Sequence, residues 1–304
     1  MPKWMRTLAI VLSVLAAAYM ISLIPRPSTR PKTPAVPQEI QRFSLISPGL
    51  SLTVENGDGG WRLTSPVDVP ANDGMVVNFL SGLRALTLEE ILSHRTESHS
   101  QFNLDDASGI LLRVWGTGSK EPQEWVIGKD APLGGHVYVR VGKGPEVYLA
   151  KGLSRSQAEA GLKTWRESRI LPLAPDAVIQ SVRVRRPKGV LDLQHRSDSW
   201  TLNGKPANRE KVDRFVSGLR YLSADEFVDP PASQGPLAGE LKTPSAELTV
   251  VLSSGTPHVL RFGSPEKGGA ARVLLQRDGD PHLMRVVLRQ VDLLTADTKD
   301  LLSP

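Results

Sequence analysis

Apolar and polar positions alternate along most of this chain with the two-residue period of half-buried strands. SLTVEN (51 to 56) breaks at the turn Gly57-Asp-Gly-Gly60 and resumes at Trp61, which predicts a hairpin. Three more alternating runs follow, ILLRVW (110 to 115), EWVIG (124 to 128) and HVYVRV (136 to 141). EVYLA (146 to 150) comes after a Gly142-Lys-Gly turn. Between the hairpin and these runs the period changes to that of a helix, opened by the cap Asn72-Asp73. The same helical pattern recurs after Asn208, with Val212, Phe215, Val216, Leu219 and Leu222 on one face and Glu210, Lys211, Asp213 and Arg214 opposite. Ser154 is placed to cap a closing helix that runs to Trp165.

Two stretches depart from this alternation. Residues 7 to 24, TLAIVLSVLAAAYMISLI, carry no charge over eighteen positions. Such a helix is about 27 Å long, close to the thickness of a bilayer core. A cleaved signal peptide is the competing reading, with Lys3 and Arg6 ahead of the run and Ala16-Ala17-Ala18 as a small-residue cleavage pattern. The run continues past Ala18 to Ile24, which favours an uncleaved anchor. Residues 25 to 42 then hold five prolines and mostly polar residues, the composition of an extended spacer. Within the span, Ala9, Ser13 and Ala17 repeat every four residues, the pattern that lets a second transmembrane helix approach closely. Lys3 and Arg6 on one flank nearly balance Arg26, Arg30 and Lys32 on the other. The short N-terminal flank favours an N-in, C-out orientation.

The patterned region is duplicated. FLSGLRALTLEEIL (79 to 92) returns as FVSGLRYLSADEFV (215 to 228), and Trp61-Arg-Leu returns as Trp200-Thr-Leu. Ile127-Gly128 pairs with Phe262-Gly263, and VYVR (137 to 140) with VLLQ (273 to 276). The expected organisation is an anchor (1–24), a Pro-rich basic linker (25–42) and two units (43–173 and 174–304). Each unit is expected to be α+β: strand hairpin, helix, antiparallel meander, helix.

Charge and composition then narrow the function. The chain has 304 residues, 37 Lys+Arg against 32 Asp+Glu, and no cysteine. Residues 1 to 42 hold six of the basic groups and one acid, so the remaining 262 residues carry 31 of each sign. A nucleic-acid surface needs concentrated positive charge, so no nucleic-acid partner is expected. Without cysteine there are no disulfides, thiolate metal sites or thiol nucleophiles.

Order and spacing of the unit's landmarks resemble a known family. Trp61-x-Leu63-x-x-Pro66, a capped helix with Leu80 and Leu83, Ile127-Gly128, a Tyr138 strand and the closing Trp-Arg-x-x-Arg-Ile-Leu (165 to 171) are similar to the domain of unknown function numbered 4340. The resemblance implies a single membrane span and an extracytoplasmic repeat domain, with frequent encoding beside ABC-type export components of the gliding-motility kind. It implies no catalytic residue. The second copy departs from the pattern, with Leu274 at the tyrosine position and only Asp-Thr-Lys-Asp-Leu-Leu as its closing segment.

A search for chemistry finds no GxSxG, HExxH or Walker A pattern. Ser264-Pro-Glu-Lys267 has SxxK spacing in a Gly/Pro turn rather than at a helix start. His94, Glu97 and His99 are close in sequence, but spacings of three and five put the imidazoles on different helix faces. The acidic pairs Glu89-Glu90 and Asp225-Glu226 read as a solvated rim after each helix. Trp61, Trp115, Trp125, Trp165 and Trp200 serve either as core or as sugar-stacking faces. No catalytic residue, metal ligand or cofactor is expected. The leading expectation is a non-enzymatic accessory or scaffold of an ABC-type transport system, anchored in the cell inner membrane with most of the chain periplasmic. Its expected partners are the membrane and integral-membrane transporter subunits, with no small-molecule ligand identified. An envelope glycan or peptidoglycan binder and an unrecognised periplasmic hydrolase are the alternatives.

Overall fold

The computed structural model describes residues 31–302, apart from 32, 175, 197–198, 231, 267–270 and 296–300. The expected anchor and its small-residue stripe Ala9, Ser13 and Ala17 lie outside the described residues. Among those described, no helix is long and apolar enough to cross a membrane.

The first unit contains β1 (Ile40–Ser47), β2 (Leu50–Gly57), β3 (Gly60–Ser65), β4 (Val69–Pro70), helix α1 (Asp73–Arg84), β5 (Thr87–Ser93), β6 (Ile110–Gly116), β7 (Gln123–Asp130), β8 (His136–Val141) and β9 (Val147–Lys151). These strands form one antiparallel sheet ordered β4-β3-β2-β1-β6-β7-β8-β9-β5. The second unit repeats this arrangement. It has β10 (Ile179–Arg186), β11 (Gly189–Arg196), β12 (Ser199–Leu202), β13 (Lys205–Pro206), helix α2 (Arg209–Arg220), β14 (Glu226–Val228), β15 (Ala246–Leu252), β16 (Pro257–Pro265), β17 (Arg272–Arg277), β18 (Leu283–Val287) and helix α3 (Leu288–Thr295). Its sheet order is β13-β12-β11-β10-β15-β16-β17-β18-β14, the same permutation as in the first unit.

The expectation of an α+β fold is therefore corrected: the protein is mostly β, two nine-stranded antiparallel sheets, each packed on a twelve-residue helix and the second also on α3. Three features account for the difference. Strands β1 and β10 add to each sheet an element outside the alternating runs. The acidic pairs, solvated as the sequence predicts, lie in or beside edge strands β5 and β14, with Glu89 and Glu90 inside β5. The expected closing helix of the first unit is two separate four-residue turns, Arg155–Ala158 and Leu162–Trp165, and Ser154 makes no side-chain cap. The linker is also shorter than its composition indicates. Thr33 Oγ accepts from the Leu88 N–H at 2.9 Å, Val36 packs against the core, and β1 begins at Ile40.

Both long helices start as the sequence predicts. Asn72 Oδ1 accepts the Met75 N–H at 3.1 Å and Asn208 Oδ1 the Lys211 N–H at 3.1 Å, satisfying donors that the helix leaves open. In α1 the buried face is Val76, Phe79, Leu80 and Leu83. It packs on alternate residues of the sheet, among them Phe43, Leu45, Leu52, Val54, Leu63, Leu112, Val114, Ile127 and Val139. Phe43, Phe79 and Trp165 form an aromatic cluster with ring centroids 5.3–5.6 Å apart. The second core is the same in plan, around Val212, Phe215 and Leu219.

Each sheet also buries a smaller cluster on its opposite face. In the first unit this is Leu104, Val126 and Val147, with Phe102 edge-on to Tyr138 at 4.7 Å. In the second it is Val228, Leu241, Leu274 and Leu283. Tyr138 and its counterpart Leu274 are thus packing residues under a covering segment.

Gly82, within the Ser-Gly-Leu-Arg shared by both copies, lets α1 approach the end of β9. A Cβ there would collide with the carbonyl oxygen of Gly152, itself at φ +108°. Alanine is the better intrinsic helix former by about 1 kcal/mol, yet Gly82→Ala is expected to destabilise the protein by about 1–3 kcal/mol through overpacking. A urea-unfolding midpoint that rises instead would show that α1 has room to shift.

Candidate functional site

The two cores are joined by a strap that belongs to both. Trp165 is fully buried in the first core and Ile170 in the second, and five extended residues span at most about 18 Å. Each end of the strap is held by backbone pairing. On the first sheet the Asn72 N–H donates to Trp165 O at 2.8 Å, and Glu167 N–H to Pro70 O at 3.0 Å, beside an Ala71–Arg166 bridge. On the second sheet Ile170 N–H donates to Leu222 O and Ala224 N–H to Ser168 O, both at 2.8 Å, beside an Arg169–Ser223 bridge. The closing motif Trp-Arg-x-x-Arg-Ile-Leu is therefore the coupler of the two units.

Arg166 is the charged centre of this coupling. Its side chain is 5% exposed, and its Nη1 donates to Asp229 Oδ1 of the second unit at 2.6 Å. The guanidinium also lies 3.8 Å over the ring of Phe227. Asp229 Oδ1 is in turn 2.8 Å from His282 Nδ1, and the His282 backbone N–H donates to Asp280. Arg277 clamps the other oxygen of Asp280 through Nε at 2.9 Å and Nη2 at 2.5 Å. Glu167, one residue along the strap, accepts from the Arg169 backbone N–H and from its guanidinium. Burial pushes the Glu167 carboxyl upward, but the Arg169 hydrogen bonds and charge outweigh it and hold the group below its ordinary value.

Beside this network a cleft of about 540 Å³ opens between the units. Its apolar floor is Val69, Ile170, Leu171 and Leu260, with prolines 70, 172, 257 and 281 along the walls. The charged residues at its rim are already paired: Arg62 with Asp68, Arg277 with Asp280, and Asp278 with Arg261. Asp229 and His282 have the orienter–base geometry used in nucleophilic catalysis. The lining contains no hydroxyl, thiol or amine side chain, so no side-chain nucleophile stands beside His282 in the cleft.

The remaining sequence candidates are dispersed. His99 Nε2 bonds to the Pro145 carbonyl at 2.9 Å, and no group of His, Asp and Glu suited to hold a metal occurs among the described residues. Ser264 lies within strand β16. Trp125 and Trp165 are buried, and half-buried Trp115 has the Arg42 guanidinium 4.1 Å over its ring. Glu89 pairs with His136 at 3.0 Å, and the corresponding Asp225 pairs with Arg272 at 2.6 Å, each tying the region after its helix to the next hairpin.

A family model described as Domain of unknown function (DUF4340) matches residues 61–239. The chain belongs to this family. No curated protein and no solved structure matches it. The DUF4340 match begins in β3 and ends past α2, so it contains the strap, Arg166 and Asp229 but not Arg277, Asp280 or His282. Asp229 and His282 had no signature in sequence, because they stand 63 and 116 residues from Arg166 and only the folded second sheet brings them to it.

Two outcomes follow for this DUF4340 chain. Arg166→Ala strands Asp229 in a partly buried site, and a loss of about 3 kcal/mol is expected in urea unfolding. Adding Asp229→Asn should cost little more, giving a large coupling energy; additive losses would mean that the pair does not link the units. Because folding lowers the Glu167 carboxyl below its ordinary value of about 4.5, its stabilisation is present above that pH and disappears as pH falls through the lowered value. Glu167→Gln should flatten this part of the acid-stability curve, and an unchanged curve would exclude a role for the carboxylate.

Proposed function

We propose that this protein is a non-enzymatic docking and scaffold subunit, anchored in the inner membrane by residues 7 to 24 with its two-sheet body extracytoplasmic, serving an ABC-type transport system. The observation that carries the non-enzymatic part is the chemistry of the inter-unit cleft. Its rim charges are neutralised in pairs, and His282 in its lining, held by Asp229 behind it, has no side-chain nucleophile beside it. A surface of this kind suits recognition better than turnover, because paired charges and rigid prolines cost little to organise when a partner docks.

The anchor is supported by the uncharged apolar run and the basic, proline-rich segment that follows it. The transport association is supported by the family resemblance. A body of two like units, coupled through buried Arg166, presents partner-binding surfaces at a fixed spacing, which is useful in a scaffold.

Solubilising membranes in a mild detergent and isolating the tagged full chain should recover integral-membrane subunits of an ABC-type transporter. Recovery of none, under conditions that retain known membrane complexes, would overturn the transport role. A reporter fused at Pro304 should be active outside the cytoplasm; cytoplasmic activity would overturn the orientation.

A further inference from the structure

The duplicated architecture allows one unit to be compared with the other position by position, and the two differ at one surface groove. In the first unit, a groove of about 540 Å³ runs between α1, the β2–β3 turn and the start of β1. Half-buried Trp61 and 56%-exposed Val77 form its apolar part. Gln41, Asn56, Asp58 and Arg84 also line it, and none of their side chains has a hydrogen-bond or ion-pair partner among the described residues.

In the second unit the equivalent arginine and tryptophan are partnered internally. Arg220, equivalent to Arg84, donates to the carbonyl oxygens of Ala174, at 3.5 Å, and Ala177. The imidazole of His195, at the position of Asn56 in the first unit, lies against Trp200, the equivalent of Trp61, at 4.8 Å and 34°. Asp213 stands where the first unit has Val77. Within the second unit the arginine thus has carbonyl acceptors from the chain before β10, and the tryptophan has a ring from the facing strand β11. In the first unit Arg84 has no such acceptor among the described residues, and Asn56 stands opposite Trp61 in place of the imidazole, while the Phe43 ring lies 6.1 Å from the indole.

We propose that the groove of the first unit binds a neutral saccharide. A pyranose presents a flat C–H face for the Trp61 indole. Its hydroxyls both donate and accept, matching the amides of Gln41 and Asn56, the Asp58 carboxylate and the Arg84 guanidinium. The carboxylates of Asp58 and Glu39 outnumber the single guanidinium at the groove, which disfavours an anionic ligand. An extended peptide would need an open strand edge for backbone pairing. Strands β1, β2 and β3 are each paired on both sides, so this part of the sheet has none. The site is independent of the transport role and survives its failure.

The test uses the full chain in a detergent without a sugar headgroup, titrated with three neutral trisaccharides (chitotriose, cellotriose and maltotriose) and read by saturation-transfer NMR. At least one should bind. Arg84→Ala and Asn56→Ala, exposed changes that remove no internal contact, should each weaken binding by about tenfold. Arg220→Ala, in the second unit, should leave it unchanged. Trp61→Ala should abolish binding while the protein retains the native β-sheet circular dichroism. Absence of binding for all three sugars at about 20 mM, or binding indifferent to Arg84→Ala and Asn56→Ala, would overturn the proposal. So would an extended peptide that occupies the groove and displaces no sugar.

Discussion

Each sheet in this protein is constrained by one connection. The two edge strands of the first sheet, β4 and β5, are consecutive in sequence and joined by α1; in the second sheet β13 and β14 are joined by α2. A twelve-residue helix is about 18 Å long, much less than the breadth of nine flat strands at about 4.8 Å spacing. The sheet must therefore curl until its edges come within reach of the helix, and the helix must lie against the inner face. Phe79 and Phe215 are central to both cores because they occupy that enclosed position. The outer face is left to be covered by short segments, which is why each unit has a second, smaller cluster there.

Curling also accounts for how the units meet. A closed-up sheet leaves only short edge positions available for pairing, and the strap uses one on each unit, beside Ala71 and beside Ser223. Between these pairings there is no slack chain, since Trp165 and Ile170 are committed to different cores. Arg166 then fixes the angle of approach by joining Asp229 and Phe227 at once. A buried arginine of this kind adds more to geometric uniqueness than to net stability, because its desolvation offsets much of the attraction.

Sequence pattern located the β2–β3 hairpin, β6 to β9, both long helices and their asparagine caps, because each of these is a local decision about periodicity and capping. It also showed the duplication. It missed β5, whose Thr-Leu-Glu-Glu-Ile-Leu-Ser reads as a polar rim until pairing with β9 and the Glu89–His136 contact are known. Ser154 looked like a cap, but Gly161 interrupts the helix it would have started. The inter-unit network was hidden for a different reason. Its members lie at Arg166, Asp229 and His282, and no local spacing rule links them. The groove at Trp61 is visible only by comparing two folded copies, because Arg84 and Arg220 are identical in sequence and differ only in what surrounds them.

The strap has a mechanical consequence. Hydrogen bonds in a strand pairing run across the chain direction, and the strap is extended along the line from one core to the other. Tension between the units therefore loads both pairings in shear, so their bonds resist together rather than opening one after another as in a peeled hairpin. The ion pair of Arg166, at the first-unit end of the strap, reaches across to Asp229 of the second unit and shares that load. A pull applied at one unit is thus delivered to the other almost undiminished, as through a short rigid link.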